Sequence, residues 1–569
     1  MTFGMILTTI LISVTNLTIT EPVDGETYDG DWLPLRAIVE NENEVPDSVH
    51  YSLNGAAVVL IPRLNTDWPT YMQNNQNHGY SESPAPTDNT ILWTAPVTGY
   101  LHEFPTPVVV DGIVYYTADS IGQGTTDSLY ALDAATGELI WKYDTGHADD
   151  AVTVVDGCVY SASDSIFCLD AQNGERIWAN GIADHMGGTP VIFEGKVYCG
   201  RENVVPDSSG IYCLDAFTGS YLWGDTLFCF PASCMAIWNG MLFVPTANMG
   251  GGTNGALSAF NLYTGELIWQ NTDSDIGYWD SSPVVVDGVI YINDWYEKTF
   301  AFDAITGQKI WEQSTGGGTA TIAYHNERLY FAGEGNGPYY CLDTSDGTTI
   351  WSVPGAQHGS SGIADDLVFY GESESPTDSS RVIALDCATG DTIWTFRTTG
   401  KMFHGSPSIT DGILYIPAED GNLYAFGTGL KYTYREDYFY ADVGPNELIV
   451  TSFDGGAAVA ADTINFTVTQ TGINLEPSTR LALCASPNPF HSEASISFEL
   501  SEPGWTSVTV YDLSGRIVRT LENSELGTGQ HTIVWDGRTE NGEVVSAGLY
   551  ICRIQSGGVS ETTGLCLLR

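Results

Sequence analysis

The chain has 569 residues, of which 71 are acidic and 20 are basic, so its formal net charge at pH 7 is −51. This length leaves room for several domains. The charge excludes a basic face that would bind nucleic acid or an anionic membrane surface, and we expect no nucleic-acid partner.

The chain begins with an apolar run at residues 3–15, which is too short to span a bilayer. We assign residues 1–16 to a candidate signal peptide, although the run lacks a preceding Lys or Arg. The alternative is that part of the run is the first strand of the next domain. No other stretch is long and apolar enough for a transmembrane helix, so we predict no transmembrane segment.

Residues 17–64 predict short strands with turns at 21–25 and 53–55. They resemble the first half of a bacterial immunoglobulin-like domain, and strand-like segments within 431–472 resemble the closing half. We hypothesise one discontinuous sandwich with the intervening residues inserted, because a closed ring of repeats brings its own ends together. The alternative is two unrelated β segments.

The region between these halves is built from a repeat, represented by Leu132-Asp133-Ala134-Ala135-Thr136-Gly137-Glu138-Leu139-Ile140-Trp141. In seven copies a Gly lies four residues, and a Trp eight residues, after an Asp or Asn. The Trp-to-Trp spacing is 37 to 48 residues, which indicates a repeat architecture. The Asp side chain can bond the turn backbone, and Gly supplies the positive φ of a tight turn.

A second hairpin, such as that at Asp111-Gly112, precedes each copy, so each repeat predicts four antiparallel strands. Eight third strands can be counted, and the last, ending at Phe426, lacks the Gly and Trp continuation. The orphan strand at Ile91-Leu92-Trp93 is expected to supply it. We therefore predict an all-β fold, with an eight-bladed β-propeller at 65–430 and immunoglobulin-like β-sandwich domains. Eight structural Trp residues are expected between its blades: Trp93, Trp141, Trp178, Trp223, Trp269, Trp311, Trp351 and Trp394.

The repeat at Ala131 to Trp141 resembles the tryptophan-docking repeat of the pyrroloquinoline-quinone (PQQ) propeller superfamily, and Asp67 to Tyr80 resembles its lead-in. That superfamily includes quinoprotein alcohol dehydrogenases and non-enzymatic BamB-type outer-membrane assembly lipoproteins, so the resemblance implies a fold and leaves the activity open. The quinoproteins carry an adjacent Cys-Cys pair that this chain lacks, and their calcium ligands and catalytic Asp match no motif here. We assign no catalytic residue and expect no cofactor, with PQQ and calcium as the alternative.

Ligands of propellers usually bind over the central channel, beside the loops that join one blade to the next. The His and acidic side chains in these loops can bind metal, bind an anion when the imidazole is protonated, or act as bases. Two interpretations stay open: a polar funnel for a small ligand or divalent metal, and solvated loops without a common target. The candidate residues are His102, Glu103, His147, Asp150, His185, Trp279, Asp280, His358 and His404.

A polar linker at 473–480 leads to a separate sandwich at 481–569. Its motifs, including Ser486-Pro487-Asn488-Pro489-Phe490 and Ala547-Gly548-Leu549-Tyr550, resemble the FlgD-like immunoglobulin fold used as a type A sorting domain of type IX secretion. That resemblance implies export, contact with the secretion machinery and attachment at the cell surface. The alternative is an ordinary terminal sandwich of a secreted protein.

These observations favour a secreted or cell-surface, non-enzymatic binding scaffold that is monomeric and engages a protein or glycan. Two alternatives remain: a PQQ-dependent oxidoreductase with its site over the channel, and an outer-membrane protein assembly factor of BamB type.

Overall fold

The computed structural model describes the β framework of the chain and the turns that join its strands. The described residues are 14–23, 27–29, 32–41, 48–54, 59–61, 63–96, 106–118, 127–146, 151–163, 165–181, 186–201, 210–227, 230–231, 233–247, 255–274, 277–278, 281–295, 298–316, 320–333, 337–354, 359–374, 379–398, 406–418, 420–440, 444–454, 457–469, 484–486, 494–500, 504–511, 517–539, 545, 548–556 and 559–567.

Secondary structure in these residues consists of strands, bridges and turns, without a helix, so the prediction of an all-β propeller with β-sandwich domains is confirmed. Within the described ranges, then, no helix is long and apolar enough to cross a bilayer. The chain divides into two compact units, residues 1–470 and 471–569. The first contains the propeller and one sandwich, and the second contains the other sandwich.

The described part of the propeller forms eight successive sheets, each with four antiparallel strands at its centre. We number them sheets 1 to 8 and call the first of the four strands the inner strand. Every third strand ends at the residue that the repeat predicted, from Asp133 in sheet 1 to Phe426 in sheet 8. The strand Ile91–Pro96, which precedes the first repeat, pairs with Asn422–Phe426 of sheet 8, so the orphan strand completes the last sheet as expected.

The four central strands of each sheet lie side by side, from the inner strand to the outer strand. Sheet 1 has Val108–Val110, Ile113–Ala118, Asp127–Asp133 and Leu139–Gly146; sheet 2 has Thr153–Val155, Cys158–Ala162, Ile166–Asp170 and Arg176–Asn180; sheet 3 has Met186–Phe193, Lys196–Arg201, Gly210–Asp215 and Tyr221–Thr226; sheet 4 has Ala236–Trp238, Met241–Ala247, Ala256–Asn261 and Leu267–Asn271, with Phe230–Pro231 added; sheet 5 has Val284–Val286, Val289–Asn293, Lys298–Asp303 and Lys309–Ser314; sheet 6 has Ala323–His325, Arg328–Ala332, Tyr339–Asp343 and Thr349–Val353; sheet 7 has Gly362–Ala364, Leu367–Glu374, Ser379–Asp386 and Thr392–Thr398, with Tyr80–Ser81 added; sheet 8 has Ser408–Thr410, Ile413–Ala418, Asn422–Phe426 and Ile91–Pro96.

Seven of the eight repeat Trp residues pack against the tight turn of the following sheet, and the indole N–H of Trp394 donates instead to the carbonyl of Pro86 at 3.0 Å. The indole N–H of Trp141 in sheet 1 donates to the carbonyl of Ala171 in sheet 2, at 2.9 Å. Gly174 of the same turn lies over the indole so closely that a Cβ there would come within 2.7 Å of the Trp141 ring. The side chain of Trp93, in sheet 8, docks in the same way on the turn of sheet 1. The spacing of Gly and Trp in the sequence is therefore a contact between neighbouring sheets.

The segments before and after the propeller pair with each other. In one sheet Val14–Glu21 and Leu430–Tyr440 flank Trp32–Asn41. The facing sheet has the order Thr27–Asp29, Ala457–Thr469, Gly444–Asp454, Ser48–Leu53 and Val59–Ile61. Leu35, Val39, Tyr434, Leu448 and Phe466 share one buried core between the two sheets.

Some element boundaries differ from the expected domain limits. The first strand begins at Val14, inside the expected signal peptide, because Val14 and Leu17 pair with Asn41 and Val39. Leu430–Tyr440 begins at the last residue of the expected propeller. Residues 1–13 and the expected linker at 473–480 lie outside the described residues.

The second unit, residues 471–569, has its own buried core around Trp535, Phe498, Val508 and Ile554. One sheet contains Cys484–Ser486, Ala494–Leu500 and Gly529–Trp535, and the other contains Ile517–Leu526, Gly504–Tyr511, Gly548–Ser556 and Val559–Leu567.

Candidate functional site

The centre of the propeller is occupied by the chain's own residues 66–81, which we call the hub segment. Hydrogen bonds join it to the inner-strand side of all eight sheets. From sheet 1 to sheet 8 the partners are Trp68 with Val109, Pro69 with Val154, Asn75 with Ile192, Asn75 with Ile237, Gln76 with Val285, His78 with Tyr324, Gly79 with Ile363, and Thr66 with Thr410 and Asp411. The hub segment therefore ties every sheet to one piece of chain.

Local sequence explains how the hub segment turns within the channel. Met72, Gln73 and Asn77 have positive φ values of 51°, 74° and 60°. Gly79 also has a positive φ, and a Cβ at this position would lie 2.5 Å from the Met72 side chain. The side-chain amides then bond carbonyls of different sheets, as Asn77 Nδ2 does with Met235 and Pro283. Amides suit this role because they both donate and accept.

Tyr71 projects from the hub segment into a buried belt of hydroxyl groups. Its phenol lies 2.8 Å from Ser360 Oγ and donates to Thr321 Oγ1 at 3.0 Å. The backbone N–H of Thr321 donates to Ser360 Oγ, and that of Ser282 donates to Thr321 Oγ1, so the belt crosses from sheet 5 to sheet 7. Complete burial raises the pKa of Tyr71, which keeps the phenol neutral.

A recess of about 660 Å³ lies beside the start of the hub segment and is lined by charged side chains. Arg63 Nη2 lies 2.8 Å from Asp411 Oδ2, and its guanidinium covers the Tyr432 ring with 4.3 Å to the centroid. Burial raises the pKa of Asp411, and the positive charge of Arg63 offsets part of this rise. Burial and then the charge of Asp111 raise the pKa of Asp67. The recess offers carboxylates and one paired guanidinium, a set suited to polar or cationic groups.

A second recess, of about 580 Å³, is lined by His78, Tyr80, Tyr324 and His325 among others. His78 Nε2 donates to the Val285 carbonyl at 2.8 Å, and the His325 ring stacks on Tyr80 with centroids 4.3 Å apart. Burial lowers the pKa of both imidazoles, which favours their neutral forms at pH 7. Across the described parts of the chain, no group of three or more His, Cys, Asp or Glu side chains is arranged to hold a metal ion.

The channel-mouth residues predicted from the sequence cannot be placed in this geometry, because each falls outside the described residues, and the funnel therefore stays a prediction. They are His102, Glu103, His147, Asp150, His185, Trp279, Asp280, His358 and His404. Sequence reasoning assigned no role to Tyr71, His78 or His325. The run Asn74-Asn75-Gln76-Asn77 was the available signal, since consecutive amides in a turn-rich segment indicate many backbone contacts.

Two family models match the chain. The model described as outer membrane protein assembly factor BamB matches residues 83–168, 162–326 and 300–429. The model of the FlgD Ig-like domain matches residues 486–558. These matches cover the propeller and the second unit respectively.

Similar proteins include an assembly factor, a hydrolase and a dehydrogenase. Outer membrane protein assembly factor BamB of Salmonella typhimurium is 27% identical over 361 residues, which cover 59% of this chain and 88% of that protein. Tetrathionate hydrolase of Acidithiobacillus ferrooxidans is 26% identical over 333 residues, which cover 54% of this chain and only 52% of the hydrolase. Quinohemoprotein alcohol dehydrogenase from Comamonas testosteroni shares the fold, with a TM-score of 0.52, 16% identity, and coverage of 67% of this chain and 82% of that chain.

Proposed function

Because the chain belongs to the family of the outer membrane protein assembly factor BamB, we propose that it is an exported, non-enzymatic scaffold whose propeller binds a protein partner. The match spans residues 83–429, which is the propeller rather than an accessory part of the chain. A glycan is the other class of partner that the sequence favours.

The observation that carries this proposal is the hub segment. Its bonds to all eight sheets fix the spacing of the sheets around the axis. The buried contacts of Tyr71 with Thr321 and Ser360 add cross-links between sheets. A rigid ring supports binding surfaces composed of several sheets, because a partner that spans them then meets groups already in position.

We also propose that the eight sheets are the blades of one ring. Seven of the eight repeat Trp residues, Trp93 of sheet 8 among them, dock on the turn of the next sheet, and this supports the proposal. The pairing of Ile91–Pro96 with sheet 8 supports it as well. In the same way, we propose that the two paired flanking segments form one immunoglobulin-like domain into which the propeller is inserted.

The second candidate function is outer-membrane protein assembly, because the alignment covers 88% of BamB of Salmonella typhimurium. Expression of the full chain in a Salmonella strain that lacks its own BamB separates the two candidates. A scaffold with its own partner leaves the assembly defect of that strain unchanged. Restored outer-membrane protein levels would replace the scaffold proposal with the assembly function.

The experiment that tests the non-enzymatic proposal is calorimetric titration of the full chain with PQQ plus calcium, and then with zinc. We expect no saturable heat with either. Saturable heat that is lost on His147→Ala or His404→Ala would contradict the proposal, because these residues belong to the predicted funnel. Affinity isolation from envelope extracts, with the partner quantified in a purified complex, is the matching positive test.

The C-terminal unit is proposed to act as an export and surface-attachment address through the secretion machinery. The FlgD Ig-like match at residues 486–558 supports this. Surface protease accessibility in the producing cell tests it, with the full chain compared to a chain that ends at residue 480. Equal surface exposure of the two would show that the C-terminal unit is not the address.

A further inference from the structure

At one position of the repeat turn, three neighbouring sheets of the propeller expose a large apolar side chain that folding does not require. The residue two positions after the Asp or Asn of each repeat turn is exposed or partly exposed in every copy. In sheets 1, 2, 6 and 7 it is small or polar: Ala135, Gln172, Ser345 and Ala388. In sheets 3, 4 and 5 it is Phe217, Tyr263 and Ile305, which are 71%, 51% and 50% exposed.

Formation of the turn does not depend on these side chains, because its hydrogen bonds come from backbone N–H groups. The backbone N–H groups of Phe217 and Tyr263 donate to Asp215 Oδ1 and Asn261 Oδ1, at 3.1 and 3.0 Å. Gln172 makes the same backbone bond to Asp170 at 2.9 Å. The turn therefore forms equally well with a polar residue, and the large apolar residues in sheets 3 to 5 call for another explanation.

These side chains lie on adjacent sheets, and two of them lie beside one turn. Phe217 lies against Gly195, and the Lys196 ammonium lies 5.8 Å from the centroid of the Tyr263 ring, so Phe217 and Tyr263 flank the same turn. The turns of sheets 4 and 5 pack on Trp223 and Trp269, whose neighbours along the outer strands are also exposed. Apolar residues just before the repeat Trp are exposed in the other sheets as well, for example Ile177 and Ile393, so we define the apolar rim by the turn residues Phe217, Tyr263 and Ile305.

Charge restricts what can cover the apolar rim. The exposed carboxylates of Glu194 and Glu266 border it, and the chain as a whole carries a charge of −51. Of the nearby ammonium groups, Lys309 is paired with Glu312 and Asp273, and Lys196 donates to the Glu194 carbonyl. A second copy of this chain and an anionic lipid surface would both be repelled. A protein segment that alternates apolar and basic side chains satisfies both the apolar area and the acidic border.

We propose that the apolar rim is the docking surface for a basic, apolar segment of a partner protein. This inference rests on the proposed scaffold function and assigns it a surface and a partner chemistry. The apolar side chains of the partner pack on Phe217, Tyr263 and Ile305 across three sheets. Its Lys or Arg side chains lie beside Glu194 and Glu266.

The test uses the full chain and a dye-labelled synthetic peptide of alternating lysine and leucine, with binding measured by fluorescence anisotropy. The rim variant carries Phe217→Gln, Tyr263→Gln and Ile305→Gln, because Gln172 already occupies this turn position. The control variant carries Ala135→Gln, Ser345→Gln and Ala388→Gln on the other sheets. We expect binding to the rim variant to weaken about tenfold or more and binding to the control to be unchanged, since three buried apolar contacts are lost. A glutamate–leucine peptide is expected not to bind.

Equal weakening in the two variants would overturn the proposal, because the attraction would then be general electrostatics. Binding of the glutamate–leucine peptide, or a wild-type dimer that becomes a monomer in the rim variant, would also overturn it. Thermal unfolding checks that the rim variant is folded, and Phe217→Gln alone serves if it is not. If a purified envelope partner binds the rim variant as tightly as wild type, the apolar rim is not the docking surface, but the proposed scaffold function is not contradicted. Saturable PQQ binding refutes the scaffold function instead.

Discussion

The indole N–H of Trp93 donates a hydrogen bond to the carbonyl oxygen of Ala134, 2.9 Å away and 41 residues later in the chain. Trp93 belongs to sheet 8 and Ala134 to the turn of sheet 1, so this bond joins the last sheet to the first. It has the same form as the bond from Trp141 to Ala171 between sheets 1 and 2. The contact between sheets 8 and 1 is therefore of the same kind as the contact between sheets 1 and 2.

The close contact of Gly137 with Trp93 predicts a position-specific effect of adding a methyl group. Gly137 and Gly157 have φ values of 74° and 73°, but a Cβ at Gly137 would lie 2.7 Å from the indole, whereas nothing lies within 4 Å at Gly157. Both Ala variants should lose about 1–2 kcal/mol through backbone strain. Gly137→Ala should lose about 1–3 kcal/mol more through overpacking. Urea unfolding of both variants measures the difference, and equal losses would show that the turn relaxes away from the indole.

The repeat Trp residues differ in their hydrogen bonds, and this predicts different costs for the same substitution. Trp178 Nε1 donates to the Ala216 carbonyl at 2.9 Å, whereas the buried Trp223 Nε1 has no hydrogen-bond partner among the described residues. Trp178→Phe should therefore destabilise the protein by about 0.5–1.5 kcal/mol more than Trp223→Phe. Denaturant midpoints of the two variants test this. The reverse order would mean that packing, and not the N–H bond, dominates the contribution of these side chains.

The buried hydrogen bonds of Tyr71 allow a prediction of how much this side chain of the hub segment contributes to the free energy of unfolding. Tyr71→Phe removes contacts with Thr321 and Ser360 in a fully buried setting and should cost about 1–3 kcal/mol. Tyr340 is a suitable control, because its half-buried phenol makes no hydrogen bond to any described residue. Tyr340→Phe should change the unfolding free energy by less than about 0.5 kcal/mol. A comparable loss in both variants would mean that the belt contributes little.

The raised pKa of Asp67 predicts the direction in which the free energy of unfolding changes with pH. Its pKa is raised from 3.8 in the folded state, first by burial and then by Asp111. The folded protein thus holds a proton that the unfolded chain releases, and the associated stability is lost as pH rises through the folded pKa. Asp67→Asn should therefore become increasingly stable relative to wild type from about pH 4 upward.

Asp303 provides the control with the opposite sign. Hydrogen bonds from Thr306 hold its pKa below 3.8, so its carboxylate contributes stability that is lost as pH falls. Asp303→Asn should become less stable relative to wild type as pH rises to about pH 4 and should differ by a constant amount above it, where Asp67→Asn still changes. Urea unfolding at a series of pH values measures both variants. If the stability of both variants relative to wild type changed in the same direction with pH, the pH dependence would come from the net charge and not from these two carboxyl groups.

Much of the propeller could be predicted because its determinants are local. An Asp or Asn, a Gly four residues later and a Trp eight residues later define a tight turn and a docking side chain, and the predicted ends of all eight third strands agree with the structure. The candidate site could not be predicted to the same degree. Tyr71, His78 and His325 acquire their environments from several sheets at once, and no spacing along the chain encodes such a meeting.

The sequence by itself determined the all-β class, the repeat period and the position of the closing strand, since each follows from turn chemistry and strand alternation within about 50 residues. Only the tertiary structure decided which residues fill the channel and which apolar side chains stay exposed. The hub segment bonds sheets that are up to 345 residues away in the chain. Phe217 and Tyr263 lie beside the same turn only because sheets 3 and 4 are neighbours in space. Both outcomes depend on how the sheets pack together, which the local pattern of one repeat does not contain.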